Sequence, residues 1–138
     1  MSRGDQDFVL VVDDNIIFRN SLAEWLRDLG YEVIAAETGE IAFVELRGWP
    51  RRIGWLYSRA RLPGLICGWI LADEYHDIHP HRAAVLTSTE AKTSSQGHII
   101  LQDPSLAAVL EALLQQIDQS HTAQAVKRHV PEYCREAA

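Results

Sequence analysis

The fold is decided by a short run near the start of the chain, Phe8-Val9-Leu10-Val11-Val12-Asp13-Asp14. The first five residues of this run are all apolar. Such an unbroken run is typical of a strand covered on both faces, because a strand with one wet face would alternate apolar and polar residues. The run stops abruptly at two neighbouring acids. We therefore expect a buried strand whose carboxyl end carries Asp13 and Asp14.

Short apolar runs alternate with helical patterns along the rest of the chain. In the first helical pattern, which Asn15 can cap, apolar residues from Phe18 to Leu29 recur at three- and four-residue spacing. Further strands are predicted at residues 31–35, 53–58, 83–86 and 98–101, and further helices at 39–47, at about 68–77, after Thr87 and from Asp103. This alternation predicts an α/β fold of three layers, a doubly wound five-stranded parallel sheet flanked by five helices.

The predicted elements make up one domain. The apolar stripe of the last helix fades after Ile117, and only scattered apolar residues follow it. We therefore expect residues 1–120 to form the domain and residues 121–138 to form a C-terminal extension or tail. The predicted second helix, residues 39–47, should turn Ile41, Val44 and Ala42 inward.

Composition restricts the class of protein. The 138 residues carry a net charge of −6, which argues against binding of nucleic acid or of a membrane surface by the whole chain. Cys67 and Cys134 lie far apart without metal-ligand spacing and indicate reduced thiols. The first residues do not form a signal peptide, and no apolar stretch is long enough to cross a bilayer. We expect a cytoplasmic protein.

Polar side chains cluster at the predicted strand ends. Asp13 and Asp14 follow the first strand, Arg59 the third, Thr87 the fourth and Asp103 the fifth. Because the carboxyl ends of parallel strands meet at one edge of an open sheet, these five residues should converge there.

A known family shares this arrangement. The acid pair, the loop Leu62-Pro63-Gly64, Gly68 and the strand end Leu86-Thr87-Ser88 together resemble the phosphorylation site of the response-regulator receiver (CheY-like) domains of two-component systems. The resemblance covers residues 8 to 120 of the chain.

The resemblance also exposes two departures. In the family, the residue four positions before the loop proline is an aspartate that accepts a phosphoryl group, and a lysine precedes a proline at the end of the fifth strand. Here these positions hold Arg59 and Asp103. The chain thus resembles an atypical pseudo-receiver that lacks the acceptor. We expect no catalytic residue and no enzyme activity, and weak or absent Mg²⁺ binding, with Asp14 as the only candidate metal ligand.

The two departures suggest a charge swap. Our hypothesis is that Arg59 forms ion pairs with Asp103 and with one or both of Asp13 and Asp14, because an arginine fork suits carboxylates. The sequence leaves plainer alternatives open. Asp103 could cap the last helix, Thr87 could form a capping box with Glu90, and Arg59 could point into solvent.

The expected function is that of a stand-alone, phosphorylation-independent signalling domain that acts by protein–protein interaction. The resemblance implies a histidine kinase, a phosphotransfer protein or another receiver as partner, and a surface at about residues 89–117. The tail could add a homodimer contact. Two alternatives stay open, namely phosphorylation at another acid such as Asp14 and sensing of a small anion by Arg59. His76, His79 and His81 suit a solvated helix end better than a metal site.

Overall fold

The computed structural model describes residues 7–48 and 52–129, and the side chains of residues 7–48 and 52–119. Within these residues, five parallel strands form one sheet in the order β2-β1-β3-β4-β5. The strands are β1 Phe8–Val12, β2 Val33–Ala36, β3 Ile53–Arg59, β4 Val85–Ser88 and β5 Ile99–Gln102. The helices are α1 Ile16–Asp28, α2 Gly39–Arg47, α3 Gly68–Ile78 and α4 Leu106–His129. The predicted α/β class and doubly wound sheet are confirmed.

The alternation of side chains along each strand divides the core into two layers. Odd-numbered strand residues such as Val9, Val11, Trp55, Tyr57 and Val85 pack with α1 and α4. Even-numbered ones such as Leu10, Val12, Leu56 and Leu86 pack with α2 and α3. Both faces of the sheet are therefore covered, which explains the unbroken apolar runs. The same parity assigns Arg59 of β3 and Thr87 of β4 to the layer of α1 and α4.

The described part of the chain contains four helices, so the predicted fifth helix after Thr87 is wrong. Residues 89–98 join β4 to β5 without a helix. Thr87 lies inside β4 and caps nothing, whereas the Ser88 hydroxyl accepts a hydrogen bond from the Glu90 N–H at 3.0 Å. The physical reason lies in composition, since this segment, Thr-Glu-Ala-Lys-Thr-Ser-Ser-Gln-Gly-His, has no apolar stripe with which a helix could pack.

Asp103 does not begin the last helix. Helix α4 begins at Leu106, and its N-cap is Ser105, whose hydroxyl accepts a hydrogen bond from the Ala108 N–H at 3.1 Å. Asp103 has a φ of 42°, in the left-handed region, and its N–H donates to the Ser88 carbonyl at 2.9 Å. The predicted N-cap role of Asp103 is therefore wrong. The backbone of α4 continues through the first part of the predicted tail.

A close contact sets the face that α2 buries. A Cβ on Gly39 would lie 1.9 Å from the Ile66 carbonyl oxygen, so the first turn of α2 packs directly against the loop after β3. Ala42 and Leu46 follow on the same helix face and are buried. Ile41 and Val44 lie outside this face and are exposed, which corrects the prediction that they face inward.

No helix in the described residues has the length and hydrophobicity that crossing a membrane would require.

Candidate functional site

The strand ends open onto a groove at the carboxyl edge of the sheet. The groove has a volume of about 890 Å³, and Asp14, Arg59, Thr87 and Asp103 all line it. Four of the five predicted residues therefore border one space. Asp13, the fifth, is buried; its side chain lies within ion-pair distance of Arg59 and is linked to Thr87 through the Tyr57 hydroxyl.

The Asp13 carboxylate is buried, since the residue is only 2% exposed. Its Oδ1 accepts a hydrogen bond from the Asn15 N–H at 2.8 Å, and its Oδ2 accepts one from the Tyr57 hydroxyl at 2.7 Å. Burial raises the pKa of Asp13 above its ordinary value, and these two hydrogen bonds and the charge of Arg59 oppose that rise. Both carboxylate oxygens are thus engaged inside the protein.

Arg59, the last residue of β3, contacts both acids. Its Nη1 donates to Asp14 Oδ1 at 3.2 Å and lies 3.7 Å from Asp13 Oδ1. Burial by itself would lower the pKa of Arg59, but the charges of Asp13 and Asp14 outweigh it and raise that pKa. The predicted ion pairs with Asp13 and Asp14 are confirmed, and the alternative of an arginine free in solvent is wrong.

The predicted ion pair between Arg59 and Asp103 is absent. Among the described residues, the acids within 4.0 Å of the Arg59 guanidinium are Asp13 and Asp14. The strand order explains this result. Strand β1 is the direct neighbour of β3, whereas β5 lies two strands away, at roughly 10 Å for the usual strand spacing. Arg59 and Asp103 therefore do not pair with each other, and Arg59 pairs with Asp13 and Asp14 instead.

Tyr57 is the site residue that the sequence analysis missed. It is 1% exposed, and its hydroxyl lies 2.7 Å from Asp13 Oδ2 and 3.2 Å from Thr87 Oγ1. Burial raises the pKa of Tyr57 far above its ordinary value, and the charge of Asp13 raises it further, so the phenol stays protonated. A signal was present in the sequence, because Tyr57 precedes Arg59 by two residues on one strand and so shares its face.

Gly68, part of the family pattern, has a physical reason to be glycine. A Cβ at this position would lie 2.0 Å from the Arg59 carbonyl oxygen. The Gly68 N–H instead donates to the Ala60 carbonyl at 2.9 Å. The start of α3 therefore packs against the backbone that carries Arg59 and fixes where β3 ends.

Between β3 and β5, the groove is bordered by α3 and by residues 89–98, which form no helix. Trp69 of α3 borders the open space together with Glu90 and Lys92 of this segment. Lys92 Nζ lies 3.8 Å from Glu90 Oε1, and both side chains are largely exposed. The groove thus combines apolar walls with charges of both signs.

Among the histidines around the end of α3, His79 has a structural contact. His79 Nε2 lies 2.8 Å from the Ile53 carbonyl oxygen. Within residues 7–48 and 52–119, whose side chains the structure describes, no group of three or more His, Cys, Asp or Glu side chains is arranged to hold a metal ion. Of the three histidines, His81 is exposed as expected for a solvated helix end, whereas His76 and His79 are half-buried.

Comparison with solved structures finds this fold in receiver domains. The response regulator receiver protein from Sinorhizobium medicae WSM419 is 24% identical, with a TM-score of 0.71 over 83% of this chain and 96% of that one. The chemotaxis response regulator CheY4 of Vibrio cholerae is 23% identical, with a TM-score of 0.67 over 81% and 98%. The receiver domain of the hybrid histidine kinase CckA is 27% identical, with a TM-score of 0.61 over 79% and 97%.

No protein-family model and no curated protein sequence matches the chain. The likeness therefore establishes the receiver fold, which the chain spans almost completely.

Proposed function

We propose that this protein is a receiver-like signalling domain of a two-component pathway that accepts no phosphoryl group and acts by binding another protein. The observation that carries the proposal is the position of the Arg59 guanidinium, between the carboxylates of Asp13 and Asp14 at the end of β3. The likeness to receiver domains supports the pathway, and the residues of the pocket support independence from phosphorylation.

The chemistry of phosphoryl transfer does not fit these residues. A carboxylate acceptor needs a nucleophilic oxygen, and Mg²⁺ normally neutralises the charge that develops on the phosphoryl group. The side chain of Arg59 has only donors and no lone pair with which to attack. Its positive charge also lies where Mg²⁺ would need oxygen ligands. We therefore propose that the pocket works without a metal ion and that the protein is not an enzyme.

Incubation with acetyl phosphate and Mg²⁺, followed by intact-mass measurement, tests the proposal. We expect the mass of the protein to stay unchanged. Asp14 is the acid to examine first, since its side chain is 43% exposed at the groove. A mass gain of one phosphoryl group that disappears in Asp14→Ala but persists in Asp73→Ala would contradict the proposal. Asp73 is an exposed aspartate of α3 that does not border this groove.

Exposed aliphatic side chains around the groove support recognition of a protein. Leu65, in the loop after β3, is 90% exposed, and its N–H donates to the Glu40 carboxylate at 2.8 Å. Ile16 and Ile17 begin α1 beside Asp14 and are also exposed. Because β1 and β3 are neighbouring strands, we propose that these exposed aliphatic side chains belong to one contact surface at this edge of the sheet.

We propose the kind of partner from the likeness to receiver domains. A histidine kinase, a phosphotransfer protein, another receiver or a second copy of this chain would each suit an aliphatic surface. Of the expected surface at residues 89–117, the first part lacks its helix, so α4 is the main helical element left in that region. The partner surface therefore shifts, in our proposal, toward the edge formed by Ile16, Ile17 and Leu65.

Anion sensing by Arg59 is the weaker alternative. An anion would compete with two carboxylates that already neutralise the guanidinium. A rise in the melting temperature with inorganic phosphate, absent in Arg59→Ala, would favour it.

A further inference from the structure

Three polar side chains from neighbouring strands meet in the buried layer below the groove. Asp13 follows β1, Tyr57 lies in β3 and Thr87 lies in β4, and all three residues are at most 8% exposed. The Tyr57 hydroxyl lies 2.7 Å from Asp13 Oδ2 and 3.2 Å from Thr87 Oγ1. We call this set of three residues the hydroxyl bridge.

The sheet register explains why a tyrosine makes this bridge. Tyr57 pairs with Val11 on one side and with Val85 on the other. Asp13 and Thr87 each lie two residues beyond those partners, which is roughly 6.6 Å along a strand. A tyrosine side chain has this reach, so one hydroxyl arrives at the level of both neighbours. The Phe18 ring of α1 stacks on the Tyr57 ring, with centroids 5.9 Å apart, and holds it from the helix side.

The direction of the hydrogen bonds follows from the number of protons. Tyr57 has one hydroxyl proton, and it donates this proton to Asp13. The bond between Thr87 and Tyr57 must then have Thr87 as its donor. Thr87 has no second proton to offer to a ligand in the groove. Successive bonds of one direction also polarise one another, which strengthens the chain from Thr87 to Asp13.

We propose that the hydroxyl bridge is a fixed conformational tie, which holds the ends of β1, β3 and β4 in one arrangement. Thr87 and Ser88 lead directly into residues 89–98, and Asp103 donates its N–H to the Ser88 carbonyl. Because Thr87 is hydrogen-bonded to the Tyr57 hydroxyl, residues 89–98 and the groove wall that they form keep one position. The inference concerns the stiffness of the domain and holds for any partner.

Three backbone amides report on the bridge, one of them the Glu90 N–H, which donates to the Ser88 hydroxyl at 3.0 Å. The Asn15 N–H donates to Asp13 Oδ1 at 2.8 Å, and the Ala60 N–H donates to the Thr87 carbonyl at 2.8 Å. The test is amide hydrogen exchange, followed by NMR, in Tyr57→Phe. The matched control is Tyr75→Phe. Tyr75 is buried in the opposite layer, and its hydroxyl donates to the Gly54 carbonyl at 2.7 Å.

We expect exchange at Asn15, Ala60 and Glu90 to rise roughly tenfold or more in Tyr57→Phe, the scale of one hydrogen bond to a charged group, and to exceed the rise elsewhere in the sheet. In Tyr75→Phe these three amides should follow the rest of the sheet. Unchanged exchange, or a uniform rise across the sheet in Tyr57→Phe, would overturn the proposal. Thr87→Val, which keeps Tyr57 and Asp13 paired, provides a second variant if Tyr57→Phe does not fold. It should loosen Ala60 and Glu90 and spare Asn15, and equal exchange at all three would count against the bridge.

Discussion

At the scale of single residues, the shortest contact of Arg59 is not its strongest. The Nη1 to Asp14 distance of 3.2 Å joins two side chains that are 40% and 43% exposed. Exposed pairs of this kind stabilise a protein by about 0–1 kcal/mol. The Asp13 oxygen lies farther away, at 3.7 Å, but its side chain is only 3% exposed. Because burial makes an unpaired charge costly, the contact with Asp13 should contribute more.

Replacement of Arg59 by alanine measures this contribution. We expect Arg59→Ala to lower the free energy of unfolding by about 1–3 kcal/mol, between the values typical of exposed and of buried pairs. Urea unfolding at neutral pH checks the loss. The matched control is Arg61→Ala, an exposed arginine that lines the same groove, which should stay within about 0.5 kcal/mol of the parent. An Arg59→Ala variant as stable as the Arg61→Ala variant would contradict the importance of the buried pair.

At the scale of elements, hydrophobic pattern predicts an element but not its neighbours. Strand β1 and helix α2 have the predicted limits, Phe8–Val12 and Gly39–Arg47, because their apolar residues and flanking breaks are local signals. The buried face of α2 depends instead on the contact between Gly39 and the Ile66 backbone, which joins distant parts of the chain.

In the candidate site, too, local features were predictable from the sequence and contacts between distant parts of the chain were not. The pairing of Arg59 with Asp13 was predictable, since both residues follow or end apolar strands. The separation of Asp103 from Arg59 depends on strand order, which the pattern of elements does not determine. Tyr57 was missed because a tyrosine within an apolar run is usually a core residue, and only its register reveals the polar partners.

At the scale of the whole molecule, two histidines link stability to pH. His98 is 7% exposed, and its Nδ1 accepts a hydrogen bond from the Ala84 N–H at 2.9 Å, which requires that nitrogen to be unprotonated. Burial lowers the pKa of His98 below its ordinary value of 6.5, and the nearby His76 lowers it further. Burial likewise lowers the pKa of His79. The fold therefore favours the neutral form of both rings.

We expect the protein to lose stability as the pH falls below about 6.5, because the unfolded chain then binds protons that the folded His98 and His79 resist. Asp13 has the opposite sign. Its raised pKa returns stability as the pH falls through that pKa toward the ordinary carboxyl value of 3.8. Urea midpoints at about pH 7.5 and pH 5.5 measure the histidine contribution.

The matched variants for this prediction are His98→Asn and His81→Asn. An asparagine oxygen can still accept from the Ala84 N–H but does not titrate. The difference in urea midpoint between the two pH values should shrink in His98→Asn. It should persist in His81→Asn, because residue 81 is exposed. A pH dependence that His98→Asn leaves intact would show that His98 does not carry it.

The replacement of a metal ion by the Arg59 guanidinium is tested most directly by the effect of Mg²⁺ on unfolding. The effect is measured in the parent and in Arg59→Asp, at matched ionic strength. If the Arg59 guanidinium takes the place of a metal ion, Mg²⁺ should leave the unfolding midpoint of the parent unchanged. Arg59→Asp joins a third carboxylate to Asp13 and Asp14, and should be stabilised by about 1.4 kcal/mol at ten times the dissociation constant. Equal stabilisation of the parent and Arg59→Asp by Mg²⁺ would contradict the central claim.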